Sequence, residues 1–210
     1  MDRRLAEGAK GRRALVAGRG PSEYRGRRVG RGGRVRPPPD ASLGRPSRIE
    51  PDAMPDGAPR ILGTVKKHPH LFEPMLGFSA ALANGALTRR ASEILALRAA
   101  WNCRSAFEWA HHARYGLDAG LSAEEIDRLA GGAPEDGWSE SEAALVRAAD
   151  ELHAGQDISD ATWARLAQDF DEGQLVEIPF VVGQYTMLSM VAKATGVPVD
   201  PALPRFPEAE

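Results

Sequence analysis

The chain has 210 residues, 42% of them hydrophobic and 6% aromatic, which is enough to bury the core of one ordinary domain. Its single cysteine excludes an internal disulfide, and therefore a secreted scaffold held by disulfides. No uninterrupted apolar run approaches the ~18–20 residues that span a bilayer, and no apolar signal segment is found near residue 1. A cytoplasmic protein with no membrane partner is expected.

The net charge of −2 hides an uneven distribution along the chain. Residues 1–50 carry 14 basic and 5 acidic side chains (+9), whereas residues 51–210 carry 13 basic and 24 acidic side chains (−11). Residues 1–50 are rich in Arg, Gly and Pro and hold too little apolar surface to offset the entropy of ordering, which predicts a disordered arm. Arginine clusters bind phosphates, but Tyr24 alone offers stacking, so a flexible tail is favoured over a nucleic-acid-binding arm.

Residues 51–210 are predicted to form one all-α domain of about seven to eight helices. A short helix is expected at residues 60–65, and a longer one from 70 to 83 has apolar residues at the helical period. These apolar residues are Leu71, Met75, Phe78 and Leu82. Asn84 and Gly85 are expected to end that helix in a left-handed cap. No segment alternates with a period of two, and no hairpin turn separates two apolar runs, so strands are not predicted.

Side chains that suit helix N-termini mark the later helices. The predicted caps are Thr88, Ser105, Ser122, Ser139 and Ser159 or Asp160. Ser122 and Ser139 are each followed three residues later by Glu, which predicts capping boxes at helices of about 123–130 and 140–154. The next helix is predicted to end at Phe170. A last helix is predicted from Glu172 to Thr195, where Pro179 should cause a kink or mark the start.

The predicted helix boundaries place two glutamates and a histidine at the same level of an antiparallel helical hairpin. Glu93 lies about ten residues before a break near Cys103 and His112 about nine after it, so an antiparallel hairpin brings them together. Ser105, Glu108 and His112 share one helix face. A histidine between carboxylates keeps one tautomer and exchanges protons near neutral pH, and partial burial raises the pKa of one glutamate. We therefore expect Glu93, Glu108 and His112 to be catalytic, with Ser105 as a polar neighbour.

The same residues carry a family resemblance: Glu93, Ser105, Glu108, His112 and the Ala119-Gly120 pair that follows. The pattern resembles the carboxymuconolactone decarboxylase family, which includes the alkylhydroperoxidase D-like proteins, over roughly residues 60–195. The peroxidase branch of that family has Cys-x-x-Cys where this chain has Ser105 and Glu108, and peroxide reduction there requires both thiols. The chain thus resembles the branch without Cys-x-x-Cys. That resemblance implies cofactor-free acid/base chemistry, by a decarboxylase or a related lyase or isomerase, on a small organic acid or lactone.

Two alternatives remain beside this hypothesis. Cys103 lies two residues before the first thiol position and is interpreted as a small hydrophobe at a helix end, but an alkylhydroperoxidase- or peroxiredoxin-like antioxidant that uses it is one alternative. A non-catalytic ligand-binding oligomer is the other. Decarboxylation needs a cation that holds the leaving carboxylate, and the candidates are Arg98, Arg104 and Arg114. Neither a cofactor nor a metal is expected.

The last predicted helix is apolar around most of its circumference. A helix of this kind must be buried on all sides, and in a domain of ~150 residues this suggests burial between subunits. The family resemblance also implies a homo-oligomer, a trimer or a hexamer. Tyr185 on this helix is expected to line the His112 site or to belong to the core, and His111 is expected at the surface or at a subunit contact.

Overall fold

The computed structural model describes residues 46–131 and 137–207, and within these ranges the chain forms α-helices and no strand. The eight helices are α1 (Arg60–Val65), α2 (Pro69–Ala83), α3 (Arg89–Asn102), α4 (Ala106–Asp118), α5 (Ala123–Leu129), α6 (Glu140–Gly155), α7 (Asp160–Leu166) and α8 (Glu172–Thr195). The predicted all-α fold is confirmed.

The N-terminal edge of the domain meets the C-terminal end of α8. Arg48 N donates to Thr195 O at 2.8 Å, and the Arg48 guanidinium donates to Ala194 O at 3.2 Å. The disordered arm predicted for residues 1–50 lies outside the described residues except for residues 46–50. The domain boundary at residue 51 stays a prediction.

Helix α3 is the centre of the domain, because α4, α5, α6 and α8 all pack against it. Every residue from Ala91 to Ala100 is buried. A charged side chain in such a position must be paired, and Arg98 is an example. Its guanidinium contacts Asp150 at 2.5 Å and donates to Leu129 O at 2.6 Å.

The predicted N-caps are confirmed, and Ser159 rather than Asp160 caps α7. The predicted end of α7 at Phe170 is wrong, since the helix stops at Leu166. The reason lies in the next helix. Asp171 has extended backbone angles and caps α8 through a capping box with Gln174, so the chain must leave the helical conformation before it reaches Asp171.

The left-handed cap predicted at Asn84 and Gly85 is also wrong, because neither residue has a positive φ. The Glu177 carboxylate instead accepts hydrogen bonds from Ala86 N at 2.5 Å and Leu87 N at 3.1 Å. A Cβ at Gly85 would overlap that carboxylate. Glycine is therefore required here for close approach rather than for its backbone angles.

Helix α8 is continuous through Pro179, so the proline does not mark its start, and the helix ends at Gly196 with φ 72°. By length and mean hydropathy α8 could cross a membrane, although no single uninterrupted apolar run predicted this. Half of its most apolar stretch is buried inside the fold, which is typical of a core helix. The cytoplasmic location stays a prediction.

Candidate functional site

The site is built on the hairpin of α3 and α4. Residues 103–105 reverse the chain between these helices, and Arg104 adopts φ 53° in this connection. Ser105 Oγ then accepts from Glu108 N at 3.4 Å and caps α4. The predicted break and cap are both confirmed. Ser105 is fully buried, and the contact described here fixes the start of α4, whereas its part as a polar neighbour of the site stays a prediction.

The hairpin brings Glu93, Glu108 and His112 together. His112 Nδ1 lies 2.6 Å from Glu93 Oε2, and His112 Nε2 lies 3.7 Å from Glu108 Oε2. The second oxygen of Glu108, Oε1, is buried and has no hydrogen-bond partner among the described residues. The three residues are only 1%, 3% and 4% exposed. The register that the sequence predicts is therefore present, but the site is more deeply buried than the prediction required.

Three further side chains surround His112 that the sequence analysis did not assign firmly. Arg89 Nη2 lies 2.7 Å from Glu93 Oε1, and its side chain is 52% exposed. The ring of Tyr185 is 4.1 Å from the His112 ring, centroid to centroid, and that of Tyr115 is 5.5 Å away, both edge-on. The i, i+4 spacing of Arg89 and Glu93 was a usable signal. Tyr185 comes from α8, whose register against α4 the sequence does not fix.

Arg89 takes the position that the sequence analysis sought among other arginines. Arg98 is engaged by Asp150 and Leu129 O, whereas the charge of Arg89 acts on His112, Tyr115 and Tyr185. A half-exposed guanidinium bonded to a buried carboxylate places positive charge between the solvent and the imidazole. Arg89 therefore adds a positive charge to the cluster beside the carboxylate that holds His112.

Burial and charge adjust the proton affinities of the cluster. Burial raises the pKa of Glu108 to about 7, against an opposing effect of His112. Burial alone would lower the pKa of His112, but the charge and hydrogen bond of Glu93 outweigh it, so that pKa is raised. Burial, helped by the Glu93 and Glu108 charges, also raises the pKa of the Tyr185 hydroxyl. Glu108 can thus hold or release a proton near neutral pH, beside an imidazole whose protonated form the Glu93 carboxylate stabilises.

Cys103 does not belong to this cluster. It lies in the connection, ten residues from Glu93, which corresponds to about 15 Å along a helix. Its Sγ is 3.8 Å from Thr186 Oγ1 and 4.0 Å from His153 Nδ1. Burial raises the pKa of this half-buried thiol despite those contacts, which is the opposite of what a reactive thiolate requires.

His111 faces away from the cluster, as its offset of about 100° around the helix predicts. Its Nδ1 lies 2.9 Å from Phe107 O, and its ring lies against the Phe107 ring at 4.4 Å. The side chain is partly buried rather than exposed, and burial lowers its pKa.

Comparison with solved structures shows the same fold in two proteins. ATU0492 from Agrobacterium tumefaciens, a protein of unknown function provisionally described as an antioxidant defence protein AhpD, aligns with a TM-score of 0.63 at 18% identity over 74% of this chain and 99% of its own. The debrominase Bmp8 aligns in its apo form (TM-score 0.60, 16% identity) and as a Cys-to-Ala variant with 2,3,4-tribromopyrrole (0.61, 15%). Both Bmp8 alignments cover 69% of this chain and 78% of the other.

No curated protein sequence is significantly similar to this chain. Residues 69–151 match the sequence model of the carboxymuconolactone decarboxylase family, and this stretch contains the whole hairpin with its two glutamates and histidine. The resemblance inferred from the sequence is thereby confirmed over residues 69–151, the part of the chain that this family model matches.

Proposed function

We propose that this protein is a cofactor-free acid/base enzyme that acts on a small organic acid or lactone, as a decarboxylase or a related lyase or isomerase. One observation carries the proposal: His112 is held by Glu93 at 2.6 Å on one nitrogen and faces Glu108 at 3.7 Å with the other. The similarity of residues 69–151 to the carboxymuconolactone decarboxylase family supports the same class of chemistry. A cytoplasmic, homo-oligomeric protein remains part of the proposal.

The three side chains have different roles in this proposal. Glu93 accepts from His112 Nδ1–H, which fixes the tautomer and leaves Nε2 to exchange a proton with the substrate. Glu108, with its pKa raised to about 7, supplies or recovers that proton. Arg89 binds the carboxylate of the substrate at the exposed side of the cluster.

Decarboxylation of a conjugated lactone acid illustrates the chemistry. The bond between carbon and the carboxylate breaks, CO2 leaves, and the electron pair passes into the lactone carbonyl to give a dienolate. A proton from Glu108 or His112 is then added to carbon, so one proton is consumed for each CO2 released. Negative charge moves from the carboxylate to the lactone oxygen in this step, so the protonated imidazole at that oxygen stabilises the transition state. Arg89 holds the carboxylate in place before it leaves.

The burial of the cluster limits how a substrate reaches it. With His112 only 4% exposed, a ligand contacts Nε2 only if a covering side chain moves. The Tyr185 and Tyr115 rings lie against the imidazole, so the substrate that fits best is one whose flat, unsaturated part can replace or stack on such a ring.

The test is CO2 release from carboxymuconolactone and related lactone acids by the full chain and by His112→Asn. Turnover by the wild type that His112→Asn lowers at least ~100-fold, with unchanged helical circular dichroism, supports the proposal. Turnover by His112→Asn at the wild-type rate overturns it. Lys67→Met is the matched control, since Lys67 pairs with Asp52 on the surface.

The same burial favours a second candidate, a non-catalytic ligand-binding oligomer in which the Glu93–His112 pair is structural. In that case His112→Asn would lower the free energy of unfolding by several kcal/mol, because it leaves Glu93 short of a buried partner. No lactone acid would be turned over by the wild type. CO2 release by the wild type distinguishes the two candidates, and urea unfolding shows whether the variant is still folded under the assay conditions.

A further inference from the structure

The His112 cluster contains two polar atoms that are placed to bind a ligand, but it is closed. His112 Nε2 faces Glu108 Oε2 at 3.7 Å, which is beyond hydrogen-bond distance. Glu108 Oε1 has no partner among the described residues. Buried polar groups of this kind need a partner, yet His112 and Glu108 are only 4% and 3% exposed. A side chain that now covers the imidazole must therefore move before a ligand can supply that partner.

Two tyrosine rings lie against the imidazole, and they differ in how they are attached. Tyr115 follows His112 by three residues on α4, and the two ring centroids are 5.5 Å apart. Because both residues lie in one turn of the same helix, a movement of α4 carries them together. Tyr185 belongs to α8, and its ring centroid is closer, at 4.1 Å. The nearer cover of the imidazole thus comes from a helix that carries neither His112 nor its two glutamates.

The Tyr185 ring is held by packing and not by a hydrogen bond. Its side chain is partly buried, and no hydrogen bond joins its hydroxyl to another residue of the described ranges. The neighbouring residue Gln184 is tied down, since its Nε2 donates to Ser79 Oγ of α2 at 3.0 Å. A ring without such a tie can change rotamer once the residues beside it give way. Tyr185 is therefore free to move where Gln184 is not.

The side of Tyr185 away from the main core borders a weakly packed part of the fold. The ring contacts both the central core and a second, smaller apolar cluster. Helices α1 and α2 contribute partly buried side chains to the smaller cluster, namely Leu62, Val65 and Met75. These two helices pack mainly on each other and on α8, and no residue of α2 is buried. Because segments with few buried apolar contacts open at low free energy, movement toward α1 and α2 is the least costly direction for the ring.

We infer that Tyr185 is the gate of the His112 site and determines which substrates enter it. Its ring occupies the place that a flat part of the substrate takes, and it turns toward α1 and α2 when the substrate binds. The inference rests on the proposed function for the class of substrate. That class is a planar, unsaturated ring about as wide as a phenyl group, with an oxygen that reaches His112 Nε2. Wider rings require a larger displacement of Tyr185 and should be selected against.

The first experiment measures how fast diethylpyrocarbonate modifies His112 in the full chain, with each histidine followed separately by peptide mass spectrometry. We expect Tyr185→Ala to raise the rate at His112 by at least ~10-fold, because the nearer cover is gone. Tyr115→Ala removes a ring from the same imidazole, so it is the matched control and should stay within about three-fold of the wild type. Tyr185→Ala at the wild-type rate, or equal rates in both variants, overturns the inference.

The second experiment keeps Tyr185 and weakens what its ring must displace, so it does not depend on how Tyr185→Ala folds. Met75→Ala shortens an α2 side chain of the smaller cluster and should raise the rate of His112 modification about three-fold or more. Leu71→Ala, at an α2 residue that is 56% exposed, is the control and should leave that rate unchanged. A wild-type rate in Met75→Ala would show that the ring does not move toward α2, and it overturns the inference. Circular dichroism checks that each variant is folded. Rates between about pH 6 and pH 9 separate access to His112, which changes the height of the profile, from its pKa, which shifts the profile along the pH axis.

The third experiment connects the gate to the substrate. Across lactone acids with increasingly wide rings, Tyr185→Ala should raise kcat/KM for the widest relative to the narrowest by about 10-fold over the wild-type ratio. An unchanged ratio overturns the assignment of selectivity to Tyr185. The two proposals fail in different ways. If the wild type turns over no lactone acid but the rates of His112 modification are as expected, the reaction is wrong and the gate stands. Turnover together with wild-type modification rates in Tyr185→Ala and Met75→Ala removes the gate and leaves the reaction.

Discussion

Two clusters that include residues of the first half of α3 each place a basic side chain between two glutamates, but the pKa values of Glu125 and Glu142 are lowered whereas that of Glu108 is raised. One consists of Arg90, Glu125 and Glu142, and the other of His112, Glu93 and Glu108. In the Arg90 cluster the guanidinium contacts Glu125 at 2.5 Å, Glu142 at 2.7 Å and Gly120 O at 2.9 Å. Each of these glutamates also closes a capping box, so the cluster joins α3 to the starts of α5 and α6.

The two clusters differ in how many hydrogen bonds their glutamates accept. The Arg90 hydrogen bond lowers the pKa of Glu125. Burial alone would raise the pKa of Glu142, but hydrogen bonds from Arg90 and Ser139 lower it. Glu108 has one unpartnered oxygen, and burial raises its pKa to about 7. A carboxylate that accepts several hydrogen bonds stays ionised and holds helices together. A buried carboxylate without such donors has a raised pKa and can exchange a proton near neutral pH.

Among the substitutions that test the difference between the two clusters, the replacement of Glu108 should have the largest effect on activity. We expect Glu108→Gln to lower kcat at least ~100-fold, because the amide cannot transfer the proton. Any residual kcat/KM should lose the change near pH 7 that Glu108 contributes to the wild-type profile. Initial rates between pH 5 and 9 check this, and a wild-type profile in Glu108→Gln would contradict it.

The same substitution should change how stability depends on pH. A carboxyl whose pKa is raised on folding stabilises the fold below its unfolded pKa of 4.5, and that contribution is lost as pH rises through about 7. Relative to the wild type, Glu108→Gln should therefore gain free energy of unfolding over this range, on the order of 3 kcal/mol. Urea unfolding at pH 4, 5.5, 7 and 8 measures it, and parallel curves would show that Glu108 is not perturbed.

Removing Arg90 should lower the free energy of unfolding, whereas Glu108→Gln should raise it, and the change should be smaller. We expect Arg90→Met to cost about 1–3 kcal/mol at pH 7, since the partly exposed guanidinium makes four charge-assisted hydrogen bonds. The lowered pKa values of Glu125 and Glu142 mean that this contribution is present above pH 4.5 and is lost as pH falls further. Unfolding at pH 7 and pH 3 tests this. An equal loss at both values would assign the effect to packing instead.

The smallest effect is expected outside both clusters. Cys103→Ser should leave CO2 release within about two-fold of the wild type and change stability by less than about 1 kcal/mol. Iodoacetamide should react slowly with Cys103, because burial raises the pKa of its thiol. Peroxide consumption by the wild type that disappears in Cys103→Ser would favour the thiol alternative instead.

Much of the hairpin could be predicted because its signals are local. Thr88 and Ser105 are strong caps, and a short break between two helices fixes which residues stand at the same height, so Glu93 and His112 followed from counting. For Tyr185 the sequence left two places open, the His112 site and the core, because the choice depends on how α8 lies against α4. Arg89 was missed although its spacing from Glu93 is also local, since an exposed arginine in the first turn of a helix usually points into solvent.

The errors have a common cause in tertiary contacts. Gly85 was predicted to be a helix cap because glycine after asparagine often is one. Its lack of a side chain instead leaves room for the carboxylate of Glu177, ninety-two residues further on. The end of α7 was misplaced because Asp171 begins another helix. Burial of the His112 cluster, which decides the pKa of Glu108, arises from side chains of several helices and cannot be read from any one of them.

The three-residue connection between α3 and α4 has a consequence for how this protein can change. A change of length that this short connection cannot accommodate would move α4 along α3 by whole residues, each equivalent to about 100° and 1.5 Å of helix, and would carry the imidazole away from Glu93. Insertions and deletions at residues 103–105 should therefore be far more damaging than substitutions there. The length of this connection, more than its composition, keeps Glu93 and His112 at the same level.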